Sequence, residues 1–377
     1  MLHIYRQVTG LRRVRTFVMT KQRENAGLYP FPDVEVLPQP RINFLLRFWN
    51  KYIRRMEPVF YRGEYGQLAG VLGGRDADLL HVYFGHTGVH LLPFIRNWPK
   101  PSLVSFHGMD IMPRESEPGY AGRLRDLLRV LPMVLARSDS LARRLVELGC
   151  DPAKIRINRT GIPMDNFPAA VRTPPSDGSW VLVQASRFIE KKGLPDTLAA
   201  FRKFAARFPR ARLVLAGEGP LRESIQDMAG QLGIAGSVEF PGFLDGPALR
   251  ELYDRGHIFL HPSVTTASGD QEGVPNSMLE AMASGMPVAA TRHGGIPEAV
   301  ADGRDGILVP ERDPEALAEA LFTLAGADVL PRFSEAAAAN VRENFESSRS
   351  VAKLEDFYFE LASSTQPIAS SQPLSPP

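Results

Sequence analysis

The chain is short of four things. Its 377 residues include one cysteine, Cys150. That excludes an internal disulfide and a cysteine-based zinc site, and it suits a reducing compartment. No run of about 18 apolar residues occurs, so no membrane-spanning helix is expected. Met1–Arg6 lacks the apolar core of a signal peptide. Excess charge is small: 44 Lys and Arg against 42 Asp and Glu leave +2, which makes no global case for nucleic acid. A cytoplasmic protein is expected, with no nucleic-acid partner.

What is present is ordinary in bulk and specific in places. Hydrophobic content of 44% with 23% charge fits a globular chain, and the length implies two domains. In the C-terminal half, apolar stretches read as strands at Trp180–Gln184, Arg212–Ala216, Val238–Phe240, Ile258–His261 and Val288–Thr291. Helical stretches separate them at Leu194–Phe208, Leu221–Leu232, Pro247–Asp254 and Asn276–Ser284. Such alternation implies a parallel, doubly wound α/β sheet. The N-terminal half repeats it, with strands at Val14–Met19, Leu79–Tyr83, Leu103–Phe106, Met133–Ala136 and Ile155–Asn158. Its helices are expected at Ile42–Arg55, Gly66–Leu72 and Ser140–Leu148.

The run from Asp270 to Gly285 is the most informative. Glu272 and Glu280 flank Gly273, Val274, Pro275 and Asn276. Pro275 or Asn276 can open a helix, and Gly273 lets backbone N–H groups approach a ligand. A helix start offers unpaired N–H donors to an anion such as a diphosphate. Glu280, about one turn in, can accept hydrogen bonds from ribose or sugar hydroxyls. The combination suits a sugar nucleotide.

This segment resembles the Glu-x7-Glu motif of the retaining family 4 (group 1) glycosyltransferases. Ala185–Gly193, Ser105–Asp110, Thr160–Phe167, His293–Glu298 and Gly306–Pro310 resemble further elements of that family, in its order. The likeness runs from about Asp78 to about Leu361 and is most like exopolysaccharide (colanic-acid-type) enzymes. It implies the GT-B fold: two Rossmann-like doubly wound domains facing across a cleft. Residues 1–167 would form the acceptor-side domain and 168–345 the nucleotide-sugar domain. Residues 346–362 would be a helix crossing back to the first domain. The Ser-, Pro- and Gln-rich end, 363–377, reads as a disordered tail. The start departs from the family: 2–11 reads as the helix that should follow the first strand and its glycine loop. Either the gene start is misplaced by about 20 residues, a βα unit's worth, or the chain is naturally shorter.

The resemblance implies hexosyl transfer from a nucleotide donor to a polysaccharide or lipid-linked acceptor, with retention. Arg187 and Lys192 would meet the charge on the leaving diphosphate. Glu280 would bind ribose, and Glu272 would lie near the donor sugar without acting as a nucleophile. His107 would reach the donor sugar or reaction centre, with Asp110 as an orienting partner and His86 as a weaker candidate. Gly294, Gly295 and Gly217 would line the nucleotide pocket. Read alone, Arg187 and Lys192 are surface cations, Glu280 complements a helix dipole, and His107 caps a strand. Asp76 and Asp78 precede a strand, at the wrong end of a sheet for ligands, so no metal and no other cofactor is expected. Arg41–Arg62 carries six basic residues against Glu57, interleaved with Phe44, Leu45, Phe48, Trp49, Tyr52 and Ile53. It reads either as a face for an anionic membrane or as a core helix with a solvated basic side. Two competitors to transfer remain: an inactive nucleotide-binding protein, and a sugar-nucleotide epimerase of the same fold.

Overall fold

The computed structural model describes residues 2–111 and 119–364, and the chain divides into two compact units. The first takes Met1–Arg137, Leu141–Asn158 and Val351–Pro377; the second takes Ser138–Ser140 and Arg159–Ser350. Residues 363–364 end a helix, and the remainder of the expected tail lies outside the described residues.

In the second unit six strands form one parallel sheet: β7 (Val181–Ala185), β8 (Arg212–Ala216), β9 (Val238–Gly242), β10 (Ile258–His261), β11 (Val288–Thr291) and β12 (Gly306–Val309). Their order is β12-β11-β10-β7-β8-β9. Consecutive side chains of a strand face opposite sides. Leu182 therefore packs with Phe201, Leu213 and Leu321, while Val183 packs with Met278, Met282 and Val288. A sheet covered on both faces needs near-continuous apolar strands, and β10 and β11 are fully buried. The chain moves outward one way from β7 and the other way from β10. That reversal is where open α/β sheets bind ligands, beyond the C-terminal strand ends.

The first unit contains β1 (Val18–Thr20) paired with β2 (Val34–Val36), and a parallel sheet of β3 (Leu80–Tyr83), β4 (Ser102–Phe106), β5 (Met133–Ala136) and β6 (Ile155–Ile157). One face of this sheet is covered by Leu354, Phe357, Tyr358 and Leu361 of the helix Ser347–Ser364. Glu355 of that helix accepts from the N–H groups of Arg12 and Arg13, both at 2.6 Å. Residues of β1 and β3 line one cavity of about 1120 Å³, with Ile4, Val8 and Leu11 among its walls. None of the residues of the helix Leu2–Gly10 is buried.

Three expectations change here. The strand expected at Val14–Met19 is Val18–Thr20, because Arg15 and Thr16 do not pair with β2. The helix expected over Ile42–Arg55 is shorter, an α-helix over Phe44–Phe48 continued by a π-helix over Trp49–Ile53. None of these ten residues is buried, which removes the core-helix alternative.

Candidate active site

Two loops of the second unit converge at the strand-order switch. The loop after β7 carries Arg187, Lys191 and Lys192; the loop after β10 carries Asp270 and Glu272. Lys192 Nζ donates to Glu272 Oε2 at 2.6 Å, and Lys191 Nζ lies 2.9 Å from Asp270 Oδ2. Two adjacent lysines thus pair with carboxylates two residues apart. Burial alone would raise the Glu272 carboxyl, but Lys192, His261 and Lys191 bring it down to about 2. Burial lowers Lys192, and Glu272 opposes that shift. At neutral pH the pair is ionic and mostly shielded from water. Gln184, wholly buried, donates to the Lys192 carbonyl at 2.8 Å and accepts from Thr197 Oγ1 at 2.6 Å, which fixes the lysine's backbone. Arg187 is exposed and close enough to depress Lys192 electrostatically.

Beyond Glu272 the chain opens a helix, Asn276–Ala283, with Pro275 as its cap. The first intrahelical bond runs from Leu279 N–H to the Pro275 carbonyl at 3.1 Å, so the N–H groups of Asn276, Ser277 and Met278 precede it. No atom lies within 4 Å of where a Gly273 Cβ would stand, so that side of the residue faces open space. Val274 and Pro275 pack toward the core, and the Asn276 Oδ1 is buried without a partner. Glu280 is buried one turn into this helix, close enough to raise the Tyr253 hydroxyl further, after burial has raised it.

A second layer holds Glu272 in place. His293 Nε2 accepts from the Glu272 N–H at 2.9 Å, so its proton sits on Nδ1, which donates to Glu311 Oε1 at 2.7 Å. The Gly295 N–H donates to the Glu272 carbonyl at 3.1 Å. A Cβ on Gly294 would strike that same carbonyl, and Gly294 has φ +53°. The close approach of Gly294 and Gly295 is thus to the Glu272–Gly273 backbone. Gly217, at φ +138°, lies against the Ser186 carbonyl next to Arg187 in the same way.

In the first unit His107 follows β4. Asp110 accepts from the backbone N–H groups of Gly85 (2.7 Å), His107 (2.9 Å) and Gly108 (2.8 Å). It therefore holds His107 through the main chain. The ring instead meets Arg137 Nη1 at Nδ1, 3.2 Å away. Burial, then Arg137, pushes His107 down to about 2, so it is neutral. Phe84, at φ +74°, stacks on His86 and lies tilted against His107. Asp76 and Asp78 are exposed beside Lys100. No group of three or more His, Cys, Asp or Glu side chains is placed to hold a metal among the described residues.

Arg187, Lys192, Glu272, Glu280, Gly273–Asn276, Gly217, Gly294 and Gly295 thus gather in the second unit, while His107 belongs to the first. Sequence reasoning missed Lys191–Asp270, Gln184, Glu311 and Arg137. Only Lys191 and Asp270 had a signal, as neighbours of Lys192 and Glu272.

Known proteins share this architecture. HepE of Anabaena, solved with UDP, superposes with a TM-score of 0.76 at 17% identity over 96% of both chains. A glycosyltransferase of Rickettsia africae superposes with a TM-score of 0.75 at 17% identity, over 97% of this chain and 94% of that one. The fold is GT-B. Residues 169–337 match the family model "Glycosyl transferases group 1". WcaL of Salmonella typhimurium, named for colanic acid biosynthesis, is 35% identical over 274 residues, 71% of this chain and 67% of that protein. AmsK of Erwinia amylovora, an amylovoran biosynthesis glycosyltransferase, is 31% identical over 68% of this chain and 63% of its own length. The aligned part thus spans about two thirds of these relatives. The chain belongs to the group 1 glycosyltransferase family.

Proposed function

We propose that the protein moves a hexosyl unit from a nucleoside-diphosphate donor to a polysaccharide or lipid-linked saccharide, with retention, in exopolysaccharide or cell-envelope glycan synthesis. One observation carries the reading most. Lys192 and Glu272 pair at 2.6 Å at the strand-order switch, beside the helix start at Asn276, with Glu280 buried one turn in. Breaking a sugar–phosphate bond leaves charge on the diphosphate, and Arg187, Lys192 and the helix N–H groups are the donors in reach of it. Glu280 holds the ribose hydroxyls. Glu272 sits by the sugar, where its charge supports the developing cation at the anomeric carbon. These cations supply the charge for leaving-group departure, so the reading calls for no metal and no cofactor. WcaL and AmsK, by their names, support the polymer setting. HepE, solved with UDP-glucose, supports the donor class.

The acceptor is lipid-linked in this reading, because the first unit presents an unusual face. Phe44 is 76% exposed, Leu45 73% and Trp49 54%, with Arg41, Arg47, Lys51, Arg54 and Arg55 among them. Apolar side chains ringed by cations suit the interface of an anionic membrane. No helix among the described residues is long and apolar enough to cross a membrane; the association read here is peripheral and is carried by this face.

Turnover of the donor followed by proton NMR tests the mechanism, with EDTA in a parallel tube. The product should keep the donor's anomeric configuration at a rate EDTA does not change. An inverted product, or isomerised donor alone, contradicts the proposal.

A further inference from the structure

Arg137 is a cation that the first unit uses only in part. It follows β5 at the C-terminal edge of the sheet, where α/β folds place ligands. A guanidinium carries five N–H donors. One meets His107 Nδ1 at 3.2 Å, and no other side-chain hydrogen bond or ion pair of Arg137 occurs among the described residues. Asp110, the carboxylate near enough to act on it, is already engaged by three backbone N–H groups. Arg172 in the second unit shows the contrast. Its guanidinium is closed off by the carbonyls of Tyr253, Asp254 and Ser284, as a structural arginine should be. Burial lowers Arg137 to about 10, which leaves it charged.

Two unpartnered ring nitrogens stand beside it. Arg137 donates to Nδ1 of His107, so the proton of that neutral ring sits on Nε2, which is buried without a partner. The His3 ring lies 5.1 Å from the His107 ring, in the first turn of its helix, and its Nε2 is likewise buried and unpartnered. A cation and two imidazoles with unmet ring nitrogens, and no carboxylate bonded to any of them, make a site for an oxyanion. In the reading above the donor diphosphate has its own cations, Arg187 and Lys192, so this site has a different occupant.

We propose that Arg137, with His107 and His3, binds an oxyanion of the acceptor: a phosphoryl group of a lipid-linked diphosphate or the carboxylate of an acidic sugar. The assignment to the acceptor rests on the transferase reading. Calorimetry on the whole chain tests it, with the donor site first saturated by the nucleoside diphosphate that binds. Inorganic pyrophosphate and methyl glucuronide are then titrated separately. One of them should bind 1:1, which also tells phosphate from carboxylate. Arg137→Ala should weaken it about 30-fold or more, and Arg137→Lys, which keeps the charge and loses the fork, by less. Nucleotide affinity should be the same in all three proteins. The proposal is overturned if neither probe binds the wild type, or if Arg137→Ala binds as tightly. If no nucleotide binds at all, the donor-site reading fails, and the probes on the unliganded protein still decide the role of Arg137.

Discussion

At residue scale the Lys192–Glu272 pair links stability to function. Both side chains are at least 85% shielded from water, and the bond is 2.6 Å. Removing one partner of such a pair strands the other charge, whereas replacing both with apolar groups can be close to neutral. The folded pKa of Glu272, about 2, lies below its ordinary 4.5. Its contribution is therefore full above pH 4.5 and is lost as the pH falls through 2. Glu272→Gln should cost about 3 kcal/mol at pH 7, shrinking as the pH falls from 4.5 towards 2, as read by urea denaturation of both proteins across pH. Equal stability at pH 7 would show that the pair is not formed in solution. In the proposed reading, a bound diphosphate would compete with Glu272 for Lys192 and so would free the carboxylate to face the sugar.

At the scale of elements, the exposed turn Phe44–Ile53 makes the clearest prediction. Co-sedimentation should be strong with vesicles containing phosphatidylglycerol and weak with phosphatidylcholine alone. A Phe44→Ser, Trp49→Ser variant should lose most of the binding. Indifference to anionic lipid would end the membrane reading. The same turn shows what a sequence withholds: its amphipathic spacing fits a core helix as well as a docking face, and only burial separates them. Strands β8, β10 and β11 were legible to the residue because both their faces are covered, which demands unbroken apolar runs. The helix Gly85–Asn97 was not, because Gly85, Gly88 and Pro93 argue against a helix. Packing overrides that preference: a Cβ at Gly85 would collide with the Phe106 ring, and one at Gly88 with Leu127. The site was legible where chemistry is local, as in Glu272–Glu280. Arg137 carries no local pattern, and only the fold brings it to His107. Gly294 carried a pattern whose reason is tertiary, the Glu272 carbonyl beneath it.

For the whole molecule, the division of labour is the main inference. Every residue assigned to the nucleotide lies within Arg159–Ser350, while His107, Arg137 and the exposed basic turn lie in the other unit. Donor binding should therefore report on the second unit alone, independently of acceptor and membrane. The most direct test is calorimetry of UDP, GDP, ADP and CMP against the wild type and Glu280→Ala. One nucleoside diphosphate should bind the wild type, and Glu280→Ala should weaken it about tenfold or more, the loss of about 1.4 kcal/mol of hydrogen bonding to the ribose. Binding of none of the four, or equal binding by Glu280→Ala, would contradict the account.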